Sequence, residues 1–286
     1  MLAGLSYEKA LEKAKAIRKI WGKFKPSDAP GDYVLQSDEF APLIGTICDQ
    51  SPIRAEDAWS FPKWLHEKLR SLEPSIIIGI GRGRLKELLR KYLHERGYKE
   101  NERIKKYIDD VSGWIINSMA YLDGLGKTPI TIFEDREHEA LEVYFILRKF
   151  NGIGPKKAAM IARDFFYRSH DIIKRHFWFD QIKHKNADFK VIGGDKLIMP
   201  VDVHVVKVFC RIFGQGYPYP KGRTWHDEIP KYAVDIIAFS MLAFPKLPAK
   251  LDDILWSVGR EYCSEQAPRC NLCPLRDLCD WASRKK

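Results

Sequence analysis

Apolar residues recur every three to four positions along most of the chain. From Tyr7 to Trp21, the residues Leu11, Ala14, Ile17, Ile20 and Trp21 share one face of a helix. The same spacing predicts helices over residues 85–96 (Leu88, Leu89, Tyr92, Leu93), 103–122, 138–150, 155–167, 203–213, 232–244 and 251–262. Glycine and proline punctuate the gaps, as at Gly124, Gly126 and the stretch 216–222. Alternating apolar and polar runs are scarce. Residues 75–79 (SIIIG) and 189–192 read as short strands or buried turns. The glycines of 78–83 resemble a dinucleotide-binding turn, but the last required glycine and a surrounding βαβ pattern are missing, so this stretch reads as a loop before the 85–96 helix. The economical expectation is an all-α protein.

Composition narrows the picture. The 286 residues, 45% of them hydrophobic, suffice for one large domain or two modest ones without covalent staples. No run of 18 apolar residues exists, so no membrane span is expected, and charges arrive too early for a signal peptide, at Glu8 and Lys9. An intracellular, soluble protein follows, cytoplasmic, nucleoid-associated or nuclear. The net charge of +10 suggests a polyanionic partner, with a plain solvated basic surface as the alternative. Residues 170–196 interleave Lys174, Arg175, His176, Lys183, His184, Lys185 and Lys190 with Phe177, Trp178 and Phe179. That mixture suits phosphate contact and base stacking, and equally suits a solvated loop.

Four of the six cysteines, Cys263, Cys270, Cys273 and Cys279, crowd into one C-x6-C-x2-C-x5-C stretch. Thiolates this close point to a metal or cluster rather than to disulfides in a chain with otherwise isolated cysteines. The other two, Cys48 and Cys210, sit in apolar stretches as core residues. Only Cys270 and Cys273 form a C-x2-C knuckle, whereas structural zinc sites pair two knuckles across a longer gap; the spacing favours a [4Fe-4S] cluster, with zinc as the rival.

The second chemical signal lies at Asn151, Gly152, Ile153, Gly154, Pro155, Lys156 and Lys157. A helix ends, two glycines turn the chain, and Pro155 opens the next helix where its missing N–H does no harm. Free amides at such an N-terminus attract an anion such as a DNA phosphate. An ordinary turn between packed helices is the plainer reading of this stretch by itself. Downstream, Asp202 precedes an apolar helix in Val201-Asp202-Val203-His204, a position for an N-cap that also presents a carboxylate.

Hairpin, aspartate and four-cysteine loop, in this order, resemble the helix-hairpin-helix DNA glycosylase superfamily, and the cysteine loop resembles its endonuclease III and adenine-specific mismatch glycosylase branch. The likeness spans roughly residues 40–280. It implies an all-α, two-lobed helix-hairpin-helix glycosylase fold with a [4Fe-4S] cluster loop: a helical barrel over 41–169, and a second domain from 1–40 and 170–286. It implies that Lys156 attacks the sugar, that Asp202 is the catalytic carboxylate, and that Gln50 fills the hole left by a flipped base. It further implies DNA contacts from Gly152, Ile153, Gly154, Lys157, Arg269 and Arg276, with Lys157, about 100° round the helix from Lys156, facing solvent or phosphate. The expected partner is double-stranded DNA carrying a damaged base or abasic site, bound by a monomer. The expected activity is a DNA glycosylase with apurinic/apyrimidinic lyase action in base-excision repair, on oxidised pyrimidines first, then 8-oxoguanine or uracil. A monofunctional glycosylase and a non-catalytic DNA-binding protein are the alternatives. One departure stands out: 46 residues separate Lys156 from Asp202, more than in endonuclease III relatives, and the excess is the basic, aromatic segment.

Overall fold

Local capping chemistry and buried apolar stripes set the elements of the computed structural model, which describes residues 6–21, 35, 38–172, 178, 189–215 and 225–284. In chain order the helices are α1 (Tyr7–Trp21), α2 (Ala41–Cys48), α3 (Ala55–Leu69), α4 (Pro74–Glu95), α5 (Glu102–Leu125), α6 (Ala140–Leu147), α7 (Pro155–Ser169), α8 (Val203–Ile212), α9 (Trp225–Ala243), α10 (Lys250–Glu261) and α11 (Asp280–Ser283). Two three-residue strands, β1 (Glu137–Glu139) and β2 (Lys190–Ile192), are the strands among the described residues, so the all-α expectation holds. No described helix is long and apolar enough to cross a membrane. The chain divides into two units, Ala29–Ile192 and Met1–Asp28 with Gly193–Lys286. These boundaries fall at 28/29 and 192/193, where the sequence reading sets 40/41 and 169/170.

The first unit holds α2 to α7. Asn101 caps α5, its side chain accepting the Ile104 amide at 3.1 Å. Along α5, Ile104, Ile108, Val111, Ile115, Met119 and Leu122 form the buried stripe that packs on Leu85, Leu88, Leu89 and Tyr92 of α4. Residues 75–79 are the first turns of α4 rather than a strand, and 78–83 is helical rather than a loop, interrupted where Gly81 takes φ 72°, ψ 164°. The helix α2 escapes periodicity because all eight of its residues are buried, which leaves no polar face to reveal a stripe. Strands β1 and β2 pair in parallel, His138 opposite Val191, so 189–192 is the strand and the 138–150 helix begins two residues later than the pattern suggests. Ser169 at the end of α7 donates its hydroxyl to the Val191 carbonyl at 3.2 Å.

The second unit is built on α8. Its buried Val205, Val208, Phe209 and Ile212 meet Ala10, Ala14 and Ile17 of α1, Ile236 and Phe239 of α9, and Leu251, Leu255 and Val258 of α10. Phe209 lies 5.0 Å from the Phe213 ring and 5.5 Å from Phe239, a compact aromatic group. The α1 helix also carries Lys13, buried to 7% exposure, whose ammonium donates to the Leu278 carbonyl and to Asp280, each at 2.6 Å. Lys9 adds a second ion pair to Asp280 at 2.7 Å. The chain start is thereby fastened to the end of the cysteine loop.

Phe209→Ala should cost about 3–5 kcal/mol, the usual range for an aromatic deleted from a packed core. A lowered midpoint at unchanged slope in urea unfolding is the expected reading.

Candidate functional site

In the first unit the hairpin joins α6 to α7. The Ile153 amide closes the turn on the Phe150 carbonyl at 3.2 Å, and the Arg148 guanidinium donates to the Ile153 carbonyl at 2.7 Å. Gly152 takes φ +82°, and a Cβ there would stand 2.9 Å from the Trp114 ring and 3.1 Å from Ile47. Gly154 is different: its φ is −77°, and a Cβ would meet no atom within 4 Å. The first glycine is required by the fold, the second leaves the helix N-terminus open. Ile153 is 2% exposed, so its side chain is core and only its backbone is left for a ligand. Lys156 occupies the second position of α7, after Pro155, and is partly exposed.

Lys157 departs from the sequence expectation. Rather than facing solvent or phosphate, its ammonium points inward, donating to the carbonyls of Thr46 at 2.6 Å, Gly152 at 3.3 Å and Ile47 at 3.5 Å. Burial pushes its pKa down to about 8; Asp49 and Cys48 act the other way, and Lys156 adds a smaller lowering. The α2 terminus it reaches leads directly to Gln50, whose side-chain amide donates to the same Ile47 carbonyl at 2.9 Å. Cys48 beside it is a core thiol, pushed up to about 12 by burial.

Trp178 also differs from its expectation. Fully buried, it donates its indole N–H to the Thr46 hydroxyl at 3.0 Å and lies 6.0 Å from the Phe165 ring. Its ring has no face to offer a base. The remaining residues of that segment that suggested stacking or phosphate contact, Lys174, Arg175, His176, Phe177, Phe179, Lys183, His184 and Lys185, lie outside the described residues.

In the second unit, Asp202 is the N-cap of α8, with extended backbone and Oδ1 accepting the amides of His204 at 2.9 Å and Val205 at 3.0 Å. Two turns on, Arg211 is 3% exposed and donates through Nη1 to Cys263 Sγ at 3.0 Å and to the Ser264 carbonyl at 2.9 Å. Its own carbonyl accepts the Cys279 thiol at 3.3 Å, and its guanidinium lies 4.5 Å from the centre of the Trp281 ring. Arg211 thus touches the first and last cysteines of the loop. Lys207, one turn earlier on the same face and 4% exposed, has its pKa lowered chiefly by burial, against the pull of Cys263 and Glu265. Both cations were missed in the sequence; their spacing from each other on α8 is the only signal it holds.

The loop itself is built from short turns. The Cys263 amide donates to Val258, Cys273 to Cys270, and Cys279 to Arg276, around the buried anchor Leu275. Burial pushes the Cys273 thiol up to about 11 and raises Cys279; Cys273 also feels the charge of each of the other three cysteines. Among the described residues no three His, Cys, Asp or Glu side chains converge tightly enough to hold a single metal ion. Four thiols in one neighbourhood, with a buried guanidinium on one sulfur, fit an anionic thiolate-bound group. Arg269 and Arg276 are exposed on this loop, Arg269 donating to the Glu261 carbonyl.

The chain is similar in fold to a solved structure of endonuclease III trapped as a covalent intermediate with DNA, in an estranged-adenine complex, with TM-score 0.51 and 17% identity over 98% of this chain and 99% of that one. The fold is that of the helix-hairpin-helix glycosylases. No family model matches the sequence, and no curated protein matches it.

Gly152→Ala should cost about 1–3 kcal/mol, from the positive φ and the crowding against Trp114, whereas Gly154→Ala should change unfolding free energy by less than about 0.5 kcal/mol. Lys157 yields a pH signature. The unfolded chain keeps this proton up to about 10.5 and the folded chain only to about 8, so folding stability gains from Lys157 as pH rises through that window, by at most about 1.4 kcal/mol per pH unit. Lys157→Met should flatten this rise in urea titrations run from pH 7 to 10.5.

Proposed function

We propose that this protein is a DNA glycosylase with apurinic/apyrimidinic lyase activity, excising a damaged base from duplex DNA, with oxidised pyrimidines first among candidate substrates. The observation that carries the reading is the start of α7: an open glycine turn at Gly154, a helix N-terminus, and a lysine at the second helical position. The amides of a helix N-terminus suit a DNA phosphate, and a lysine beside them suits attack on the sugar of a nucleotide extruded from that strand. The trapped covalent intermediate reported for the structural neighbour accords with a nucleophilic lysine.

In this reading, departure of the base leaves positive charge on the deoxyribose, and the Asp202 carboxylate offsets it. The Lys156 amine adds at the sugar carbon that carried the base. The ring opens to a Schiff base, which allows loss of the 3′ phosphate by β-elimination. Gln50 fills the vacated place in the stack, and the exposed Arg269 and Arg276 meet phosphates. Cys263, Cys270, Cys273 and Cys279 would hold a [4Fe-4S] cluster, whose contribution is to brace the loop that presents those arginines. The buried guanidinium of Arg211 offsets the negative charge that such a group brings into the core.

Incubation with duplexes each carrying one lesion, with borohydride present, should trap a covalent protein–DNA band that Lys156→Ala abolishes. Asp202→Asn should lower base release by at least about 100-fold, in the range of a transition-state charge partner. Base release without a trapped adduct would leave a monofunctional glycosylase, and tight binding without any reaction would leave a DNA-binding protein. A brown protein absorbing near 400 nm is expected for the cluster; a colourless protein containing zinc would replace it.

A further inference from the structure

We propose that Lys157 is a positioning residue for Gln50: the two side chains share the Ile47 carbonyl, and Lys157 takes it over alone when Gln50 swings out into DNA. The argument begins with α2. All eight of its residues are buried, so the carbonyls at its C-terminal end lack access to bulk water and each needs a donor from the protein. The structure provides one for each. The Gly45 carbonyl accepts the Asp49 amide at 2.9 Å. Thr46 accepts the Lys157 ammonium at 2.6 Å. Cys48 accepts the Tyr107 hydroxyl at 2.8 Å and the Gln50 amide at 2.8 Å.

Ile47 differs in having two side chains within reach of its carbonyl: Gln50 Nε2 at 2.9 Å, with Lys157 Nζ standing second at 3.5 Å. A glutamine that inserts into a duplex must give up this bond. Without a substitute, the buried carbonyl would be left unsatisfied and the swing would be costly. An ammonium has three protons and no acceptor role, so it serves several carbonyls from one place. Lys157 needs only a small shift, since its ammonium already bonds the neighbouring Thr46 and Gly152 carbonyls. The carbonyl contacts also explain why a lysine is retained inside at the cost of a lowered pKa.

The use of Gln50 in DNA rests on the glycosylase reading; the shared carbonyl does not, and the two are tested apart. For the carbonyl, the wild type, Gln50→Ala, Lys157→Met and the double variant are unfolded in urea without DNA. Each single variant leaves Ile47 one donor. The double variant leaves it none, so its unfolding equilibrium constant should exceed the product of the single effects by roughly fivefold to tenfold. Additive effects, within about twofold, would overturn the proposal. Lys157→Arg gives a second background that keeps donors: there Gln50→Ala should again be nearly neutral, and a large loss would count against the proposal even if the Lys157→Met double variant failed to fold.

For the DNA half, affinity is compared between an abasic-site duplex and its matched intact duplex. Lys157→Met should reduce the preference for the abasic site by about tenfold when Gln50 is present and leave it unchanged in Gln50→Ala. Equal reduction in both backgrounds would refute a role through Gln50. A wild-type protein that shows coupling in urea but no abasic-site preference would refute the glycosylase reading while leaving the shared carbonyl intact; a trapped adduct without coupling would do the reverse.

Discussion

The carbonyl end of α2 is the constraint around which the first unit is arranged. A helix buried on every side cannot leave its last carbonyls to water, and the donors it recruits come from different parts of the chain. Tyr107 reaches in from α5, Lys157 from α7, and Gln50 folds back from the adjoining loop. Thr46 extends the arrangement, because its hydroxyl donates to the Pro42 carbonyl and accepts the Trp178 indole. One unsatisfied helix end therefore unites the hairpin, the long α5 helix and the inserted segment. Gly152 belongs to the same contact, since its carbonyl meets Lys157 and its missing side chain admits Trp114 and Ile47.

The second unit meets a related demand with the opposite sign. Thiolates are poor guests in a core, as the raised pKa values of Cys273 and Cys279 express. Arg211 and Lys207 place two cations on one face of α8 beside Cys263, so that negative charge there has a partner already in place. The same helix begins at Asp202. A carboxylate, an ammonium and a guanidinium thus hang on a single rigid element, and α1 secures the far end of the loop through Lys13. Lys13, Lys207 and Arg211 are buried cations, and removing the groups that face them is the costly case for ionic groups in a core.

Much of this was legible in the sequence, and the residues show why the rest was not. The amphipathic α1, α5, α7, α8 and α10 carry a stripe that periodicity detects. Asp202 was legible as a cap because capping depends only on neighbours three residues away. The helix α2 was invisible because APLIGTIC has no polar side. The first turns of α4 were hidden by glycines, which disfavour helix locally and were overruled by Ile77 and its packing. Lys157 was misjudged because the angle between helix neighbours tells which way a side chain leaves the helix, not what lies there. Trp178 was misjudged because its basic neighbours suggested a surface, while its indole had a buried hydroxyl to meet.

The parallel pairing of β1 with β2, together with the Ser169 bonds to Val191, has a consequence for how this chain can change. Residues 169 and 191 are held side by side on the first unit, and Trp178, between them in sequence, is bonded to Thr46. Added or removed residues between these ends need not disturb the hairpin before them or Asp202 after them. Closing a longer loop is inexpensive, about 0.6 kcal/mol for each doubling of length. The segment is a cassette: a place where one framework can be given different lengths and charges while α2, α7 and α8 keep their bonds.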